Sequence, residues 1–253
     1  KDAELDPFLV PVGTALTETG LDLGTGSAGV VQLPKVGLLG ASGSGGAHWF
    51  FLERILGLPF DALSASALGG DLSDYDVLVF SEGTGRLTEA QNETAGAWVR
   101  SGGTLVAVGS AATVLGSALA EVEEREADQE EPKGDELLAQ ALRTREERRQ
   151  DRWEESIPGT ILKVRLDTGH PLSAGAGADG LTGEMFVLTR GRGFEPTTGF
   201  ESVVHFPKDS EKIGGVIFEK GLERMAQSTW LAQATLGRGK LILFVEDPLF
   251  RLF

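Results

Sequence analysis

Residues 102–112 read GGTLVAVGSAA, and this stretch decides the fold. The run from Leu105 to Val108 is short, continuous and apolar, which is typical of a strand covered on both faces in a parallel sheet. Gly109 permits a sharp turn of the backbone, and Ser110 is predicted to cap the helix that follows. Ligands and nucleophiles of α/β sheets lie at this carboxyl end of a strand. The residues at 110 and 111 therefore largely decide whether the domain is an enzyme.

Strands and helices are predicted to alternate on both sides of this stretch. Short apolar runs predict strands, and Thr88 is predicted to cap a helix that runs to residue 100. Such alternation implies parallel pairing through right-handed crossovers. The predicted strands are 36–39, 60–63, 77–80, 105–108, 160–166, 185–189, 202–206, 216–219, 232–235 and 240–245, and further helices are predicted at 47–56 and 110–119.

Two segments depart from the alternation. Residues 1–34 are rich in proline and glycine and are predicted to form an extended N-terminal arm, with short strands at 8–12 and 30–33, before an α/β domain over 35–253. Residues 121–155 hold 14 Asp and Glu and 7 Lys and Arg. We interpret them as a solvated helical insertion with one helix from 136 to 153. The alternative interpretation is a lid or an arm that contacts a partner.

The composition excludes several classes of function. The net charge of −15 argues against a nucleic-acid partner and against docking on anionic membranes. No apolar run has the length of a membrane span, and no signal peptide is recognised. The chain has no cysteine, so a thiol nucleophile, a disulfide framework and thiolate zinc sites are excluded together.

Two further motifs do not predict a cofactor. The turn GASGSGG at 40–46 lacks the spacing of a dinucleotide fingerprint and of a P-loop, and we interpret it as a flexible strand-to-helix turn. The three histidines, His48, His170 and His205, form no zinc-binding motif. We therefore expect neither a metal nor a cofactor in this chain.

A serine-based site is the candidate for catalysis. Ser110 would be the nucleophile, His170 the general base, and Glu82 a nearby carboxylate at the end of a strand. Ser110 is one residue early for a G-x-S-x-G elbow, which favours its role as a helix cap. The residues predicted to line a pocket at this edge are Ser42, Gly43, Ser81, Glu82, Gly83, Gly109, Ser110, Ala111 and His170.

The order of short motifs along nearly the whole chain resembles a known family. These motifs are TGLDLG at 19–24, PKVGLL at 34–39, DYDVLV at 74–79, WVRSGGTL at 98–105, IPGT at 157–160, GHPL at 169–172, GRGKLILF at 237–244 and DPLFR at 247–251. They are similar to the class I glutamine amidotransferase-like domain found at the C-terminal end of bacterial zinc-carboxypeptidase-like proteins.

This resemblance implies a flavodoxin-like, mostly parallel α/β sheet with helices on both faces, a charged helical insertion and additional C-terminal strands. The catalytic cysteine of active members, in G-x-C-x-G, maps onto Ala111, and the second glycine of that motif maps onto Thr113. A paired His-x-Glu near the domain end is also absent. The resemblance thus implies a degenerate, non-catalytic member whose parent carries zinc in a separate upstream peptidase domain.

Three functions remain open from the sequence. The first is a non-catalytic module of an exported, periplasmic or extracellular protein, whose partner is its own upstream peptidase domain. The second is a hydrolase or acyl transferase that uses Ser110 with His170. The third is an oligomerisation or binding module that holds another subunit or a small polar ligand.

Overall fold

A computed structural model describes residues 33–41, 45–125, 134–174, 176 and 183–250. The chain divides into two units, Lys1–Pro34 and Lys35–Phe253, and every element below belongs to the second. The strand predicted at 8–12 and the pocket candidates Ser42 and Gly43 lie outside the described residues, as does the strand predicted at 30–33 except for Leu33, which is not in a strand.

Five parallel strands form one half of the sheet. They are β1 (Val36–Leu39), β2 (Phe60–Leu63), β3 (Val77–Phe80), β4 (Thr104–Val108) and β10 (Gly239–Phe244). Their spatial order is β2-β1-β3-β4-β10, with every neighbouring pair parallel. This is the flavodoxin-like order, in which the chain reverses its winding direction between β1 and β3. The predicted fold class is confirmed.

Helices cover both faces of this half. Helix α1 (Gly46–Phe50) continues as a π-helical segment, Phe51–Ile55, and Leu52 packs on the β1 residues Val36 and Leu38. Helices α2 (Glu89–Ser101) and α3 (Ser110–Ala120) lie on the other face. Thr88 caps α2 in a capping box with Gln91, as the sequence predicts. None of the described helices combines the length and apolarity that a membrane span requires.

Antiparallel strands extend the sheet beyond β10. They are β9 (Thr229–Leu236), β7 (Glu201–His205), β5 (Gly159–Leu166) and β6 (Glu184–Thr189), with β8 (Lys212–Val216) also paired to β5. Each successive pair from β10 to β6 is antiparallel. Strand β6 therefore runs in the sense of β4, whereas β5 runs in the opposite sense. Buried residues of both halves form one hydrophobic core.

Two predicted elements are wrong in detail. The single helix over 136–153 is instead two helices, α4 (Asp135–Leu142) and α5 (Arg145–Glu155), because Thr144 starts a new capping box with Glu147. The strand predicted at 216–219 ends at Val216, and helix α6 (Glu219–Met225) follows it. Its apolar residues Leu222 and Met225 have helical spacing and pack on the core.

Candidate functional site

The turn from β4 into α3 is made by a glycine in a conformation that side chains disfavour. Gly109 has φ 61° and ψ −126°, and its N–H donates to the Phe244 carbonyl at 2.9 Å. A Cβ atom at this position would lie 3.0 Å from Cγ and 3.2 Å from Cδ of Glu82. The sharpest point of the strand-to-helix turn therefore carries no side chain, and Glu82 lies against it.

Ser110 does not cap α3, so that prediction is wrong. Gly109 is the N-cap residue, Ser110 is already helical, and no side chain makes a capping hydrogen bond. The Ser110 hydroxyl is exposed, and among the residues that the structure describes it reaches the Glu82 carbonyl alone, at 3.5 Å. Because its backbone is already helical, Ser110 lies one residue past the position from which an N-cap side chain binds the first N–H groups of a helix.

The structure also changes which residue corresponds to the missing nucleophile. The resemblance maps it onto Ala111, but Ala111 is the second residue of α3 and is 7% exposed. Nucleophiles of this kind of site sit on the sharp strand-to-helix turn itself. In this chain that turn is at Gly109. Neither residue has a side chain that can attack a substrate.

The structure contradicts a pair of Ser110 and His170. Ser110 follows the end of β4, whereas His170 follows the end of β5, which runs in the opposite sense, so the two lie at opposite edges of the sheet. His170 has other partners: its Nδ1 accepts the Leu172 N–H at 3.1 Å, and its Nε2 is 3.0 Å from a Glu201 carboxylate oxygen. His170 is a buried loop histidine.

The glycine-rich turn is built for close packing of β1 against β3. Gly40 has φ 72°, and a Cβ at Gly45 would lie 1.8 Å from the Gly40 carbonyl oxygen. The buried Ser81 hydroxyl donates to the carbonyls of Leu39 and Gly40, at 3.0 and 2.8 Å. Gly83 packs against Gly40 as well. Of the three residues 81–83, Glu82 alone lines the adjoining cleft.

An open cleft of about 430 Å³ lies at the carboxyl edge, the edge where β3, β4, β6 and β10 end. Its lining residues are Glu82, Leu188, Arg190, Arg192, Glu246, Asp247 and Phe250. A neighbouring cleft of about 360 Å³ shares Leu188, Asp247 and Phe250 and adds Met185, Phe186, Val187, Trp230 and Pro248. The two clefts together present a polar end and an aromatic, apolar end.

Glu246 is the buried carboxyl group of the polar end. It is 9% exposed, and one of its oxygens accepts the Arg190 backbone N–H at 2.7 Å. Its other oxygen, Oε2, is buried and has no hydrogen-bond partner among the residues that the structure describes. Burial raises the pKa of Glu246, against the opposing effects of the Thr189 hydroxyl, the backbone N–H groups of Arg190 and Arg192, and the charge on Arg192. Such a carboxyl group favours a proton or a donor beside it.

His48 lies near Asp247, one of the residues that line the cleft. His48 of α1 is 5% exposed, and its Nε2 lies 3.7 Å from an Asp247 carboxylate oxygen, beyond hydrogen-bond distance. Burial lowers the pKa of His48, although the charges of Asp247 and Glu82 oppose the shift. His48 is therefore mostly neutral near pH 7 and does not neutralise these carboxylates.

A charged network fixes the wall of the cleft. Arg192 donates two hydrogen bonds to the Glu124 carboxylate, at 2.8 and 2.7 Å, and a third to the Thr113 hydroxyl at 2.6 Å. Burial would raise the pKa of Glu124, but the hydrogen bonds and charge of Arg192, with Thr113, lower it instead. The positive charge of Arg192 is thus matched by Glu124, which leaves it little net charge to offer a ligand.

Sequence reasoning missed five of the residues that form or adjoin this cleft: His48, Arg190, Arg192, Glu246 and Asp247. Glu246 and Asp247 come directly after the apolar run of β10, so the rule that ligands lie at the carboxyl ends of strands could have found them. Within the described ranges, no group of three or more His, Asp or Glu side chains is placed to hold a metal ion.

The chain is similar in fold to several solved structures. No family model and no curated protein sequence matches the chain. A ThuA-like protein from Parabacteroides merdae ATCC 43184 aligns with a TM-score of 0.52 at 11% identity, over 85% of this chain and 79% of its own. A GMP synthase protein from Thermoplasma acidophilum aligns with a TM-score of 0.47 at 11% identity, over 87% of each chain.

A larger protein aligns over a similar part of this chain. The β-galactosidase from Bacillus circulans sp. alkalophilus gives a TM-score of 0.49 at 13% identity over 85% of this chain, and the match spans 28% of the β-galactosidase. At such identities a structural likeness shows the fold alone. The chain therefore shares the α/β fold of the ThuA-like protein, in agreement with the flavodoxin-like strand order of its sheet.

Proposed function

We propose that this chain is a non-catalytic module with an amidotransferase-like fold, which binds a ligand or partner at its carboxyl edge and does not hydrolyse glutamine. The observation that carries the proposal is the backbone of Gly109. The chain keeps the sharp strand-to-helix turn of a nucleophile elbow, with φ 61° and ψ −126°, and has glycine at its apex.

The chemistry of the surrounding residues supports this proposal. Acyl transfer by covalent catalysis needs a nucleophile within hydrogen-bond reach of a base. The chain has no cysteine, and the hydroxyl of Ser110, next to Gly109, contacts a backbone carbonyl. His170 lies at the other edge, and His48 is buried beside Asp247. Within the described part of the chain, no serine or threonine contacts a histidine in a nucleophile–base pair.

The wider setting of the module is a proposal that rests on the sequence motifs. Their order supports a place within a longer, exported, carboxypeptidase-like protein, in which a separate domain would hold zinc and perform the peptidase reaction. The module's partner would then be that peptidase domain. Co-purification of this chain with a separately expressed upstream domain tests the assignment, and failure of the two to associate would contradict it.

Ammonia release from glutamine tests the non-catalytic assignment. Glutamine incubated with the purified protein should form ammonia no faster than glutamine alone, while an added glutaminase confirms that the assay responds. The variant Ser110→Ala is the matched control. Protein-dependent ammonia release that Ser110→Ala abolishes would overturn the proposal, because it would show that Ser110 is a working nucleophile.

A further inference from the structure

We propose that the double cleft at the carboxyl edge binds a small organic cation, a primary ammonium group attached to a ring-sized apolar body. The inference deepens the proposed function and rests on it, since the cleft is assigned to binding and not to chemistry. It stands on three features of the described residues: an unpaired buried carboxyl oxygen, an excess of carboxylates, and an adjoining aromatic wall.

The buried carboxyl group identifies where the ammonium would lie. Oε2 of Glu246 is buried at the cleft without a hydrogen-bond partner in the described structure, and the whole residue is 9% exposed. An unpaired buried acceptor is costly, and a charged donor compensates for it best. An ammonium group has three donors, so it can also reach the carboxylates of Glu82 and Asp247, which line the same cleft.

The charge balance of the cleft favours a cation over an anion. Three carboxyl groups and two arginines line the polar end, but the Arg192 charge is matched by Glu124. The exposed Arg190 guanidinium lies 4.6 Å from the centre of the Phe250 ring, at one side of the cleft. A carboxylate ligand would meet Arg190 and also the repulsion of the acidic groups Glu82 and Asp247. A neutral hydroxyl would fill the space without the Coulomb attraction.

The second cleft supplies the surface for an apolar body. Trp230, Phe250 and Leu188 line it, and Trp230 is held by an edge-to-face contact with Phe244 at 5.5 Å between ring centres. Trp230 is 5% exposed, so it contributes only part of its ring to the surface of this cleft. The two clefts share Leu188, Asp247 and Phe250, so one ligand can contact both. Aromatic faces also attract cations.

Titration calorimetry with three probes of one shape tests the proposal on the intact protein. Benzylamine, benzyl alcohol and benzoate share a ring and differ in the charge of the attached group. We expect benzylamine to bind with a Kd on the order of 1 mM or tighter, as suits so small a ligand. Benzyl alcohol should bind about 10-fold more weakly, and benzoate should not bind. Equal affinities, or tighter binding of benzoate, would overturn the proposal.

Variants assign the binding to this cleft. Glu246→Gln should weaken benzylamine binding about 10-fold, because an amide cannot form an ion pair with the ammonium group, and the exposed Glu82→Gln should weaken it by a smaller factor. Glu93→Gln, an exposed carboxylate of α2, is the matched control and should bind as the wild type does. If Glu246→Gln does not fold, the same measurement is made on Glu82→Gln and Trp230→Phe, which should also bind benzylamine more weakly. Unchanged affinity in every folded cleft variant would refute the assignment.

Ammonia release from glutamine would contradict the proposed function separately, because benzylamine contains no amide to hydrolyse.

Discussion

The Glu82 side chain lies directly against the position that a Cβ atom at Gly109 would take. A Cβ at Gly109 would lie 3.0 Å from Cγ of Glu82, and the φ of 61° at this glycine is one that other residues avoid. Strain and crowding therefore act together at the apex of the turn. The turn keeps the backbone geometry of a nucleophile elbow, while the Glu82 side chain crowds the space beside its apex.

Replacement of Gly109 should be destabilising. Gly109→Ala is expected to lower the free energy of unfolding by about 1 to 3 kcal/mol, the usual cost of a disfavoured backbone conformation. It should also displace Glu82 and weaken benzylamine binding. Urea denaturation and calorimetry measure the two effects. Gly46→Ala, at the start of α1 with no atom within 4 Å of the added Cβ, is the control and should be neutral or slightly stabilising. Equal stabilities of the two variants would contradict this account.

Glu246 should make stability depend on pH. Burial raises its native pKa above the ordinary value of 4.5, so its contribution to stability is complete below that value and is lost as pH rises through the native pKa. The stability of Glu246→Gln relative to wild type should therefore increase with pH. Each unit of pKa difference corresponds to about 1.4 kcal/mol. Urea denaturation from pH 4 to 8 measures the trend, and Glu93→Gln should show none. A relative stability that falls with pH would contradict the buried position of Glu246.

His48 should have the opposite dependence. Burial lowers its native pKa below the ordinary value of 6.5, so the neutral form is favoured in the folded protein. Its contribution to stability is present above that value and is lost as pH falls through the native pKa. An NMR titration of the His48 ring, assigned by comparison with His48→Gln, should give a midpoint below 6.5. A midpoint at or above 6.5 would mean that Asp247 and Glu82 outweigh burial.

The network of Arg192, Glu124 and Thr113 should contribute to stability. Arg192→Gln removes two hydrogen bonds to a half-buried carboxylate and leaves its charge unpaired, which should cost about 1 to 3 kcal/mol. Asp74→Asn breaks the exposed pair with Lys35 and should cost less than about 0.5 kcal/mol. Thermal unfolding at matched pH compares them. Similar losses in both variants would show that the network is only a surface ion pair.

The parallel half of the sheet could be predicted because its strands are covered on both faces. Burial on both sides requires continuous apolar runs, and Val36–Leu39, Val77–Phe80 and Thr104–Val108 are such runs in the sequence. Thr88 was found as a helix start for a similarly local reason. The capping pattern Thr144–Glu147 is local too, and it was missed inside a long run of charged residues.

The site itself depends on long-range geometry that no local pattern contains. Arg192 and Glu124 are separated by 68 positions, and they pair because the backbone of Glu124 forms an antiparallel bridge with Phe194, two residues beyond Arg192. The sequence allows His170 as a partner for Ser110, but β5 runs in the opposite direction to β4, so His170 lies at the other edge of the sheet. Ser110 itself follows a strand as an N-cap would, but the backbone of Gly109 moves the start of the helix one residue earlier.

Covalent labelling by a fluorophosphonate probe, read by intact-protein mass spectrometry, tests most directly whether this elbow lacks a nucleophile. Excess probe reports any serine activated by a neighbouring base, whatever the natural substrate is. We expect the mass of the native protein to stay unchanged. The Ser110→Ala variant should behave in the same way, apart from the mass of the substitution itself. A serine hydrolase in the same tube should be fully labelled. A stoichiometric adduct that peptide mapping places on Ser110, and that is absent from Ser110→Ala, would contradict it.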